Sequence, residues 1–87
     1  MNESTPLAVY NTQEKELIGV YDSIKTATKC LFNTADYAQK RRVVRALTHK
    51  VRLQCDKYPF EVAIRPASDE HKRRLGNYKS VVLPKYA

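Results

Sequence analysis

The sequence predicts a small single-domain α+β fold: a β-hairpin, two helices in a helix-turn-helix-like order, a second β-hairpin and a basic C-terminal element. Three observations predict it. The chain has 87 residues, room for one domain. Residues 7–10, 17–21, 51–55 and 60–65 are β-rich or alternate apolar with polar side chains, as strands do. Between them, residues 24–50 carry apolar side chains at helical spacing behind two N-cap residues.

Residues 1–6 are polar, end in Pro6 and read as a loose leader. The body covers residues 7–66. The strands at 7–10 and 17–21 form a hairpin around the polar turn 11–16. Gly19 inside the second strand signals a bulge or a close backbone approach. Ser23 is the expected N-cap of a first helix, residues 24–32, with Ile24, Ala27, Leu31 and, at its edge, Cys30 on one face. Thr26 and Thr28 are weak helix formers, so packing must hold this helix. Asn33 and Thr34 interrupt the chain, and Asp36 or Thr34 caps a second helix reaching Lys50.

With Lys40 as zero and about 100° per residue, Val43, Val44 and Leu47 fall within about 60° of it, and Asp36 and Tyr37 on the same side. This is the expected packed face, with Lys40 at its centre, obliged to reach out from the helix start. Arg41, Arg42, Arg45 and His49 lie on the other arc, between about 100° and 200°. Residues 51–55 and 60–65 form the second hairpin, with Phe60, Val62 and Ile64 inward and residues 56–59 as its turn. In residues 67–87, Ser68 is an N-cap before Asp69 and Glu70, Gly76 is a stop, and residues 78–83 suit a final strand. The alternative for 67–87 is a basic tail that orders only on binding.

Charge carries the functional signal. The net charge is +7, yet residues 1–39 hold three lysines against five acids, and residues 40–87 hold thirteen bases against four acids. Residues 40–52 contain six bases and no acid, whereas a merely solvated helix usually mixes signs. An arc of arginines at helical spacing suits phosphates and guanine edges, because the guanidinium fork matches both. Arg41, Arg42, Arg45 and His49 are therefore the expected DNA face, with Lys50, Arg52, Arg73 and Arg74 on phosphates.

Catalytic signatures are missing: no HxxxH, GxSxG, CxxC or phosphate-cradling glycine loop. Asp56 and Glu61, able to face each other across the second hairpin, read as exposed turn charges without a pocket. Cys30, Cys55, His49 and His71 have no metal-site spacing, and the two cysteines read as reduced core thiols. The expectation is a non-enzymatic protein without metal or cofactor. No apolar run approaches the roughly 20 residues of a membrane helix, and a cytoplasmic, nucleoid-associated location is expected. Two other readings stay open: an assembly module (a homo-oligomer or a partner of an acidic protein), and an RNA or single-strand binder using exposed tyrosines.

The run Glu16-Leu17-Ile18-Gly19-Val20-Tyr21-Asp22-Ser23-Ile24-Lys25-Thr26-Ala27, preceded by Val9-Tyr10 and a polar turn, resembles the nuclease-associated modular DNA-binding domains, the intron-encoded nuclease repeats. The resemblance covers residues 8–32, and residues 43–47 are similar to that family's helix core. It implies a double-stranded-DNA reader whose recognition helix is the one holding Arg41, Arg42 and Arg45. It also implies a regulator of mobile-element or phage type. Two departures are that the turn at residues 32–37 has no glycine and that no Ser or Thr caps the helix near Arg41.

Overall fold

The computed structural model describes residues 5–87. Five strands form one antiparallel sheet: β1 (Leu7–Asn11), β2 (Glu16–Tyr21), β3 (Leu53–Gln54), β4 (Glu61–Pro66) and β5 (Ser80–Val82), in the spatial order β3-β4-β1-β2-β5. The helices are α1 (Ile24–Phe32), α2 (Tyr37–His49) and α3 (Asp69–Leu75), and a 3-10 turn, Pro84–Tyr86, ends the chain. The two expected hairpins are thus one sheet, because β4 pairs with β1, placing Val9 opposite Ile64 and Tyr10 opposite Ala63.

Local chemistry sets the boundaries. Ser23 Oγ accepts from Thr26 N at the start of α1, and Asp36 Oδ1 accepts from Gln39 N at the start of α2. Asn33 closes α1 in the left-handed region, φ 62°, so asparagine does what a turn glycine otherwise would. Thr28 is buried inside α1 with its hydroxyl satisfied, donating to Ile24 O at 2.7 Å. Ser68 and His71 form a reciprocal cap at α3.

Gly19 answers to both expectations. The β1–β2 register shifts between Val9 and Tyr10, a bulge beside Gly19. A Cβ on Gly19 would also lie 2.8 Å from Val81 O and 3.3 Å from the Tyr21 hydroxyl. The glycine therefore lets β5 close against β2.

One sheet face packs on α1 and α2. Leu7, Val9, Ile18, Tyr21, Val62 and Ile64 meet Ile24, Ala27, Leu31, Val43, Ala46 and Leu47 there. On the other face, α3 covers β2 and β5, with Leu75 and Ala67 against Val20. The C-terminal turn is docked as well. Tyr86 stands edge-on to Tyr58 and Phe60, and its carbonyl accepts from the Tyr58 hydroxyl at 3.0 Å. Glu16 accepts from Lys85 Nζ at 2.6 Å and from the Tyr86 hydroxyl, which itself accepts from Asn11 Nδ2 at 3.0 Å. Residues 67–87 therefore fold as helix, strand and turn. Of the expected leader, residues 1–4 lie outside the described residues, while Pro6 O accepts from Ala67 N.

Three local expectations are corrected. Tyr37 is 73% exposed instead of packed. The buried side of α2 is Val43, Ala46 and Leu47, so its centre is turned by about 70° from Lys40 toward Ala46 at 100° per residue. Lys40 and Val44 sit at its margin, half-buried. Second, the strand expected over 51–55 pairs only at Leu53–Gln54, and Val51 is exposed. Third, Glu61 faces Gln54, not Asp56.

Candidate nucleic-acid interface

The rotation of α2 decides which cations point away from the core. Arg41 and Arg45 stand opposite the buried stripe and are exposed, as is His49 one turn further on. They border an open groove of about 880 Å³ with Lys40, Tyr37 and Thr48. Its floor is apolar, built from Val44 and from Ile24 at the start of α1. The Arg41 guanidinium lies 5.7 Å from the Tyr37 ring centre, so the exposed tyrosine steadies it. No residue of α2 is acidic, so every charged side chain on its outer side is basic.

Arg42 is placed differently from its neighbours. Its guanidinium sits 4.9 Å from the Phe32 ring centre, donates to Gln54 O at 2.9 Å and to Gln39 Oε1 at 3.0 Å. It clamps α2 to the end of α1 and to β3, away from the groove. Arg73 and Arg74 are exposed on α3, which lies across the sheet from α2, so they share no surface with Arg41 and Arg45.

Lys50 and Arg52 leave the α2 groove too. Lys50 ends α2 in the left-handed region, φ 57°, and turns the chain toward β3. The two line a second cleft, about 480 Å³, with Lys15 and Arg65. Its remaining wall includes Tyr10, Asn11, Thr12, Val51 and Ala63. Lys15 and Arg65 were not singled out from the sequence, whereas Tyr10 is one of the six tyrosines it offers for base stacking. The position of Tyr10 and Arg65 follows only from the register, since Tyr10 pairs with Ala63 and Ala8 with Arg65, which sets these half-buried side chains on the sheet face opposite α1 and α2.

Comparison with known protein families, with curated proteins and with solved structures finds no match to this chain. Cys30 and Cys55 are free, and burial pushes both thiols up, which keeps them protonated and poor nucleophiles. Among the described residues no group of three or more His, Cys, Asp or Glu is placed to hold a metal. No helix of the described residues is long and apolar enough to cross a membrane.

Proposed function

We propose that this chain is a small non-enzymatic protein that binds double-stranded DNA through the outer face of α2. The observation that carries the reading is Arg41 and Arg45 on the side of the helix opposite the core, flanked by Lys40 and His49, with no carboxylate on the helix. A helix of 13 residues is about 20 Å long, and the major groove, about 12 Å wide, admits one such helix. Arg41 and Arg45, one turn apart, can then address neighbouring phosphates or a guanine edge. The resemblance of residues 8–32 to the nuclease-associated modules supports the same assignment and a regulatory setting.

The test is fluorescence anisotropy with a mixed-sequence duplex between about 50 and 200 mM salt. Binding should weaken by a slope of about −0.9 for each phosphate neutralised, and Arg41→Ala or Arg45→Ala should flatten the slope by about that amount. Their melting temperatures should stay at the wild-type value, because neither side chain packs in the core. Absence of binding at the lowest salt overturns the reading. In that event the apolar floor, Ile24 and Val44, favours a second one: an acidic amphipathic helix of another protein seated in the same groove.

A further inference from the structure

The sheet has an open half-face. α3 covers β2 and β5 and Ala8 of β1 is fully buried, while further along that side Tyr10, Ala63 and Arg65 are only half-buried and Glu61 is exposed. At the sheet edge β3 is short. Leu53 pairs with Val62, and one step back along that register Arg52 stands level with Ala63. Residues 50–52 thus run beside β4 without joining it. The outcome is a cleft with a sheet floor and a rim of Lys15, Lys50, Arg52 and Arg65. No carboxylate lines it.

We infer that this cleft is a second binding site, distinct from the α2 groove, and that its ligand is a single-stranded polynucleotide. Four cations around about 480 Å³ call for a polyanion. A recess of that size, between an edge segment and a hairpin turn, suits a single strand. Tyr10 supplies the face on which a base stacks, and its neighbour across the strands is Ala63, whose small side chain leaves room beside the ring. The ring is also in contact with His71, 6.2 Å away and tilted by 59°. Arg65 is positioned by its own bond to Ile64 O at 2.8 Å, which leaves the rest of its fork for a phosphate. DNA and RNA strands share this chemistry, and the contacts read backbone charge and base faces, not sequence.

The experiment measures anisotropy of fluorescein-labelled oligothymidine and oligouridine, about 12 nucleotides each, at about 50 mM salt. Both should bind, and the tighter of the two names the sugar. Arg52→Glu, a change at an exposed side chain, should weaken single-strand binding about tenfold or more, and Tyr10→Ser by a similar factor while Tyr10→Phe does not. Arg41→Ala should leave it within about twofold. The inference is overturned if neither oligonucleotide binds, if Arg52→Glu binds them as wild type does, or if Arg41→Ala costs as much as Arg52→Glu, which would mean one undivided basic surface. Because the probes are single strands, failure of duplex binding does not enter the result.

Discussion

Arg41 and Arg42 are neighbours in sequence with opposite predicted signatures. Arg42→Ala removes a cation stacked 4.9 Å from the Phe32 ring centre and a bond to Gln54 O of 2.9 Å. At an exposed site the first is worth about 0.5–1 kcal/mol and the second a net 0.5–1.5 kcal/mol, so the loss is about 1–2.5 kcal/mol. The bond to Gln39 is an exposed side-chain pair within one helix turn and adds little. For a domain of this size each kcal/mol moves the melting temperature by about 4–8 °C, so Arg42→Ala should melt about 4–20 °C lower. Arg42→Lys keeps the charge but not the planar fork, and should recover only part of that. Duplex affinity is the second readout. Arg42→Ala should change it far less than Arg41→Ala, which in turn should leave the melting temperature alone. A circular-dichroism melt and an anisotropy titration on the same preparations decide it. If Arg42→Ala melts as wild type and loses as much DNA binding as Arg41→Ala, Arg42 belongs to the recognition face and the clamp has no energetic meaning.

Two further outcomes bear on the sheet. Gly19→Ala places a methyl 2.8 Å from Val81 O, and overpacking of this kind costs about 1–3 kcal/mol. Amide exchange should show the loss first at Leu83 N, which donates to Ile18 O at 2.8 Å across the β2–β5 seam, and unchanged protection there would refute the close approach. Alkaline solution should also destabilise the fold. Burial raises Tyr21, Tyr58 and Tyr86, and the bond to Glu16 raises Lys85, so their contributions are complete below their unfolded values near 10 and fall away as pH rises further. Urea midpoints should therefore drop between about pH 9 and 11, and a flat profile would contradict the burial of Tyr21. Glu16 works in the other direction: held low by Lys85 and then by Tyr86, it stabilises above its unfolded value near 4.5 and loses that role as pH falls through its folded value.

Features settled within a few residues were legible in the sequence. Ser23, Asp36 and Ser68 cap helices because a short oxygen-bearing side chain ahead of helical spacing has few other uses. Gly19 stood out because a strand rarely keeps a residue without a side chain unless something comes close. The phase of α2 was not legible to the same degree. A wheel centred on Lys40 counted Val44 and Tyr37 inward and left out Ala46. Ala46 is fully buried, because small side chains sit where a helix lies nearest its sheet, and large apolar ones at the margin remain half-exposed. That rotation turned Arg42 from the presumed contact face into a brace and brought Lys40 to the groove.

The second cleft could not be read locally at all. Its cations come from the β1–β2 turn, the end of α2, the approach to β3 and the end of β4, four places joined only by the pairing of β4 with β1. Lys15 and Tyr10 belong to the half of the chain whose net charge is negative, so a tally of bases along the sequence assigns them to no basic region. Lys50 is the hinge between the two surfaces. It ends the helix whose outer face carries Arg41 and Arg45, and its left-handed backbone sends Arg52 to the open side of the sheet. A continuous helix through residues 50–52 would have set Arg52 in line with Arg41 and Arg45 and Lys50 on the buried side, at about 100° per residue. The rotation of α2 and the break at Lys50 together divide the six cations of residues 40–52 among an outer groove, a brace and a cleft, and it is this division that makes the separate losses on duplex and single-stranded probes a meaningful comparison.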